Sequence, residues 1–211
     1  MELKEKVRPE HTALLVIDIQ KDFASPDGLL GRGGRDLSMV EPLIEKLKET
    51  IRIAEEAGVL TLYTKQIYDR SKLSDLQKEQ YDLDNKFVTC DVATDGPDFY
   101  KLTPSEEFVF PKYNYNAFSN PDLCRLLTER GIKTLVIAGM DTIYCVEAAI
   151  RNGFDIGYKI VVPEDLVACN ARHIDWHNKT LELTRKTFGA VTTSEEVNGI
   201  WKNRRELGFV G

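Results

Sequence analysis

Three side chains, far apart in the chain, are of the types that nucleophilic catalysis needs. Cys145 lies in Gly139-Met140-Asp141-Thr142-Ile143-Tyr144-Cys145-Val146-Glu147, which reads as a strand end, a tight turn and a helix start. Unpaired N–H groups and the partial positive charge of a helix N-terminus lower a thiol pKa, and the thiolate is the attacking form. The same N–H groups can hold an oxyanion. On this local context alone, a buried thiol packing a helix against a sheet has an equal claim. Asp18 ends an apolar strand and is followed by Gln20, Asp22 and Phe23, a set that suits a pocket wall. A carboxylate capping the next turn is the plainer alternative. Lys112 follows a strand and precedes Tyr113, Tyr115 and Phe118. Its neighbours favour a solvated surface lysine, whereas a buried lysine beside a thiol and a carboxylate would stabilise the thiolate and help to pass protons.

The elements around these residues alternate in the βαβ manner of a parallel sheet. Strands are expected at Thr12–Asp18, Val59–Thr64, Glu107–Pro111, Lys133–Ala138, Asp155–Val162 and Ala190–Thr193. Apolar positions Leu37, Val40, Leu43, Ile44, Leu47 and Ile51 recur at helical spacing after Asp36, and Gly58 stops that helix. Further helices are expected near Leu73–Tyr81, from Asn120-Pro121 to Gly131, over Tyr144–Asn152, over Asp175–Phe188, and from Ser194 onward. Residues 66–106 are polar and poorly periodic, which suits a lid or an interface insert better than an idle loop. The fold class is α/β: a single-domain three-layer sandwich over 1–211 with a six-stranded parallel sheet, order 3-2-1-4-5-6. Its switch point between strands 1 and 4 is where ligands bind in such sheets. Asp18 and Cys145 both come to that crevice. Lys112, two strands away, has to reach inward.

Composition narrows the function. The 211 residues are 42% hydrophobic and carry a net charge of −6, with no run of five like charges and no basic stripe. No nucleic-acid partner is expected, and the apolar runs are too short for a membrane span. The charged stretch Met1–Arg8 does not read as a signal peptide. Cys90, Cys124, Cys145 and Cys169 fit no zinc or CxxC spacing, so reduced thiols in the cytoplasm are expected. The Gly28–Gly34 loop raises phosphate binding as a rival function. It does not follow its strand directly and has neither G-x-G-x-x-G nor G-K-[ST]. A redox sensor built on the same fold is a second rival.

Three segments in order resemble the isochorismatase-like superfamily of cysteine hydrolases: Asp18-Ile-Gln20-Lys-Asp22-Phe23, Lys112-Tyr-Asn-Tyr-Asn-Ala-Phe118, and Gly139 through Glu147. The tail, with His177-Asn-Lys-Thr-Leu181, Phe188-Gly189 and Thr193-Ser-Glu-Glu-Val197, is similar to the family too. The resemblance implies a catalytic triad of Asp18, Lys112 and Cys145, and a cis peptide between Met140 and Asp141. It also implies an oxyanion hole from the backbone N–H groups of Asp141 and Cys145, and a homo-oligomer, dimer or tetramer. Some superfamily members lack the cysteine and cleave a vinyl ether; Cys145 points instead to amide hydrolysis. Nicotinamidases of this superfamily carry metal-binding Asp and His residues after strand 2. Here that stretch is Thr64-Lys65-Gln66-Ile67-Tyr68-Asp69-Arg70, without histidine. No metal or cofactor is expected, and the chain is closer to carbamoyl and ureido amidohydrolases. Gln20, Phe23, Tyr115, Phe118 and Tyr144 are candidates to line the substrate pocket, and Arg172, His173 or Trp176 to reach the substrate's far end.

Overall fold

Apolar runs with no helical period pair side by side as strands in the computed structural model, which describes residues 1–84 and 88–203. The central strand β1 (Thr12–Ile17) is buried at every position, as a strand covered on both faces must be. It is flanked on one side by β2 (Leu60–Gln66) and then β3 (Val109–Lys112). On the other side lie β4 (Thr134–Met140) and β5 (Lys159–Pro163). A two-residue strand, β6 (Val167–Ala168), extends the pairing of β4, and β7 (Gly189–Thr192) forms the far edge beside β5. All pairings are parallel, in the order β3-β2-β1-β4-β5-β7. This is the expected order with one short strand added; two residues are too few to carry a pattern.

Among the described residues, five helices of nine or more residues pack around the sheet, α1 (Val40–Ala57), α3 (Pro121–Glu129), α4 (Glu147–Asp155), α5 (Ile174–Leu183) and α6 (Ser194–Lys202), while α2 (Asp75–Asp84) lies in the segment between β2 and β3. The alternation of β1 sorts them into layers. Leu14 and Val16 pack with Val40, Leu43 and Leu47 of α1 and Trp201 of α6. Ala13, Leu15 and Ile17 pack with Leu123 and Leu127 of α3, Ala149 and Ile150 of α4, and Leu181 of α5.

Several boundaries depart from expectation. The helix expected to be capped by Asp36 begins at Val40 with Met39 at its N-cap, and Asp36 instead accepts the Ser38 N–H at 3.0 Å. The predicted strand from Asp155 starts at Lys159, because α4 runs on through Asp155. Gly157, in the left-handed region at φ +101°, closes that helix: its N–H reaches the Phe154 carbonyl at 3.0 Å and the Tyr158 N–H that of Gly153 at 2.9 Å. The helix predicted from Tyr144 begins at Glu147, after a wide π-type turn over Thr142–Val146. The helix predicted to reach Phe188 ends at Leu183 and continues as a second wide turn over Thr184–Phe188. The 66–106 insert contains α2; a bridge from Gln20 to Phe99 ties it to the body, and one from Tyr68 to Asp91 folds it on itself. Its residues 85–87 lie outside the described residues. No helix among the described residues is long and apolar enough to cross a membrane.

Candidate active site

The ends of β1 and β4 are brought close by one glycine. Gly139 pairs with Ile17, and a Cβ added there would stand 2.1 Å from the Ile17 carbonyl oxygen, so a larger residue would push the strands apart. The chain then turns sharply at Asp18, whose φ of +48° is in the left-handed region. Such a conformation costs a non-glycine residue about 1–3 kcal/mol and is kept where the surroundings enforce it. Here the turn swings the Asp18 carboxylate beneath the neighbouring strand, where the Thr64 hydroxyl of β2 donates to Oδ1 at 2.6 Å.

Lys112 makes the inward reach that its edge-strand position demands. It is 1% exposed, and Asp18 is fully buried. Lys112 Nζ lies 2.7 Å from Asp18 Oδ2. It also donates to Gln66 Oε1 at 2.8 Å, to the Asn114 carbonyl at 3.0 Å and to Cys145 Sγ at 3.3 Å. The three side chains expected to act together therefore meet in one cluster. The hydrogen bonds to Gln66, Asn114 and Cys145 match the three ammonium protons, and Asp18 Oδ2 meets the charge as an ion pair.

This arrangement changes the expected state of the thiol. Burial pushes the Cys145 thiol well above its usual pKa; the Asp18 carboxylate adds to the rise, and Lys112 opposes it. The lowered thiol pKa expected from a helix N-terminus is thus overturned: Cys145 sits within the wide turn, two residues before α4 begins, and desolvation dominates. Burial works against the charge of Lys112 as well, but Asp18 and then Cys145 outweigh it and hold the ammonium above its ordinary value. These directions favour a charged Lys112 and a neutral Cys145 thiol at rest. Capture of Cys145 by iodoacetamide is expected to accelerate with pH up to and beyond about 8.5, where a free cysteine is half ionised. A plateau already reached below about pH 7 would show a resting thiolate instead.

A cavity of about 370 Å³ opens onto Cys145. Phe23, Tyr115 and Tyr144 line it as expected, and the last two rings stack at 6.0 Å. Three other expected contacts are corrected. Gln20 is fully buried and spends both ends of its amide on backbone: Nε2 donates to the carbonyls of Gln66 and Pro97 at 2.8 and 2.9 Å, and Oε1 accepts the Gln66 N–H at 2.8 Å. It clamps β2 to the insert. Phe118 packs in the core against Tyr158 at 6.1 Å and does not line the cavity. Trp176 is exposed, edge-on to His173, and lines neither this cavity nor the depression beside it. Arg172 and His173 line that depression, not the cavity itself. Asp22 likewise acts as a tie, accepting the Leu29 N–H at 2.9 Å and the Cys90 N–H at 2.7 Å, so that it joins the glycine-rich loop to the insert. That loop contains a helical turn, Leu29–Arg32, and its Leu30 lines the cavity.

Sequence reasoning missed Arg35, Gln66, Tyr68 and Tyr81 as lining residues. Gln66, Tyr68 and Tyr81 fall in the insert, whose lack of period gave no orientation. Arg35 precedes Asp36, which in the sequence suits a helix cap, and looked like loop; in the structure the helix starts only at Val40. Its guanidinium contacts the carboxylate of Asp141, and the Met140–Asp141 peptide is cis, as the resemblance implies. Behind the cysteine turn, the Thr142 hydroxyl lies 3.0 Å from His177 Nδ1 of α5, a ring that burial holds below its usual pKa. No group of three His, Cys, Asp or Glu side chains among the described residues is placed to hold a metal ion.

The chain matches the isochorismatase domain family over residues 12–196. It is similar to the ureidoacrylate amidohydrolase RutB of Acinetobacter baylyi, 29% identical over 222 residues that cover 96% of this chain and 88% of that one. It is 32% identical to the enzyme of that name from Cronobacter turicensis over 176 residues, 74% of each chain. Among solved structures it resembles a cysteine hydrolase from Pseudomonas syringae pv. phaseolicola, with a TM-score of 0.80 at 24% identity, covering 94% of this chain and 95% of that one. The chain belongs to the isochorismatase family.

Proposed function

We propose that this chain is a cysteine-dependent amidohydrolase that cleaves a small carbamoyl or ureido amide through a thioester on Cys145. The observation that carries the proposal is the buried Lys112 ammonium, 2.7 Å from the Asp18 carboxylate and 3.3 Å from the Cys145 sulfur, beside a cavity lined by Cys145. In this reading Asp18 takes the thiol proton as Sγ attacks the amide carbonyl, so a free thiolate need not accumulate. Lys112 holds Asp18 in place and balances charge as the proton moves. The backbone N–H groups of Asp141 and Cys145 receive the tetrahedral oxyanion. When the C–N bond breaks, ammonia or an amine leaves with the proton from Asp18. Water then attacks the thioester, Asp18 takes its proton, and the thiol is restored.

The relatives named for ureidoacrylate support this choice over other amides. The stretch after β2 carries no histidine, which argues against a metal-dependent nicotinamidase. A single domain, a cytoplasmic location and a dimer or tetramer belong to the same proposal. Ammonia release from a panel of ureido acids, biuret and nicotinamide tests it. Turnover of a ureido or carbamoyl compound, undiminished by a chelator, is the expected result. Turnover of nicotinamide alone, or activity lost to chelation and restored by zinc or iron, would overturn it.

A further inference from the structure

Three residues of α5, His177, Thr180 and Leu181, are buried, although none lines the catalytic cavity or the depression beside it. They stand three and four positions apart and so share one helical face. Leu181 joins the apolar cluster that holds Cys145, Val146, Ala149 and Ile150. The two polar side chains reach the chain on either side of Cys145. His177 Nδ1 lies 3.0 Å from the hydroxyl of Thr142, before the cysteine. The Thr180 hydroxyl donates to Glu147 Oε2 at 3.2 Å, after it. Arg151 also holds Glu147, at 2.6 Å, so that end of the brace has a second support. At the other end, Thr142 and His177 are 0% and 4% exposed, and a bond lost between groups so buried is poorly replaced by water.

Between these anchors runs the wide turn Thr142–Val146, and it is bound closely to Asp141. The Tyr144 and Val146 N–H groups donate to the Asp141 carbonyl at 3.0 and 3.1 Å, and the Ile143 N–H donates to its Oδ1 at 3.3 Å. A shift of Thr142 therefore moves Asp141 and Cys145 with it. Burial holds the His177 ring below its usual pKa, against the opposing pull of Glu164. A neutral imidazole has one donor and one acceptor nitrogen, and a hydroxyl pairs with either.

We infer that His177 is a positioning residue: through Thr142 it fixes the turn that presents the Asp141 and Cys145 N–H groups to the oxyanion, without itself touching substrate. The inference rests on the oxyanion hole of the proposed amidohydrolase reaction. A group that only aligns oxyanion donors acts on the transition state and leaves ground-state binding alone, so its loss lowers kcat and spares KM. The identity of the bonding atom matters too. An asparagine amide falls near the place of Nδ1, whereas a glutamine amide falls near that of Nε2.

Ammonia release from the panel compound turned over fastest gives the test, with thermal melts showing that each variant is folded at the assay temperature. His177→Leu and Thr142→Val are each expected to lower kcat about tenfold or more, since small displacements of positioned groups are costly, while KM stays within about twofold. Thr142→Val keeps the side-chain shape and serves if His177→Leu does not fold. His177→Asn should recover most of the loss, and His177→Gln should not. The double variant His177→Leu/Thr142→Val should be no slower than the slower single one, because both substitutions break the same bond. Unchanged kcat in Thr142→Val, a rise in KM at constant kcat, losses that multiply in the double variant, or rescue by glutamine as good as by asparagine overturns the inference. An inactive Cys145→Ala beside a fully active His177→Leu strikes the positioning role alone. Turnover that survives in Cys145→Ala, or no turnover of any panel compound by the unsubstituted protein, strikes the amidohydrolase reading and this inference with it.

Discussion

Cys145→Ala is expected to abolish amide hydrolysis, with ammonia release falling to the background of the uncatalysed reaction. The side chain supplies the atom that forms the thioester, and no other thiol is placed to replace it. Cys90 is fully buried and its pKa is driven up by burial; Cys169 is buried behind the site, with its thiol pushed up to about 11 by burial; Cys124 lies on α3. None of the three lines the catalytic cavity. Their replacement by serine or alanine should leave turnover unchanged. The loss in Cys145→Ala should come without a loss of fold, because the substitution removes one partly engaged sulfur and breaks no ion pair. Circular dichroism and thermal melting, run beside the ammonia assay, check this. Wild-type turnover in Cys145→Ala would remove the nucleophile assignment altogether.

Lys112→Met is expected to damage both stability and rate. Lys112 and Asp18 form an ion pair at 2.7 Å with both side chains shielded from solvent. Removing one partner of a buried pair leaves the other charge uncompensated, at a cost of about 3–5 kcal/mol. Methionine fills much of the lysine volume, so the cost reports the lost charge more than a cavity. The rate should fall at least about a hundredfold, the usual scale for a positioned proton-transfer group. Asp18→Asn removes the base while Thr64 can still bond the amide, so it should lose rate by a similar factor. The double variant should not lose the sum, because groups that act as one unit fail together. Denaturant melts and ammonia release from the same preparations separate the two effects. If Lys112→Met keeps both wild-type stability and wild-type turnover, the lysine is neither structural partner nor catalyst.

Much of the scaffold was legible because it rests on local pattern. The apolar runs beginning at Thr12 and Lys133, the helix stop at Gly58 and the Asn120-Pro121 helix start each declare themselves within a few residues. The bend that brings Asp18 inward depends on the left-handed turn and on the fit of Gly139 against Ile17, which no periodicity reveals. Lys112 shows the limit most clearly. Its neighbours describe a surface residue, and only the ordered motifs of the family moved it inside. The pocket wall was harder still. Gln20 and Phe118 look like lining residues in the sequence, but tertiary packing gives one to the backbone of β2 and the other to the core. Arg35 was invisible because its role comes from Asp141, 106 positions later in the chain.

The most direct test of the account is to catch the covalent step. The protein is mixed with a ureido or carbamoyl substrate, quenched in acid during turnover, digested and mapped by mass spectrometry. The account predicts an acyl or carbamoyl adduct on the peptide that carries Cys145, appearing at least as fast as product and absent from Cys145→Ala. Steady turnover with no adduct at any quench time, together with hydrolysis that persists in Cys145→Ala, would contradict it.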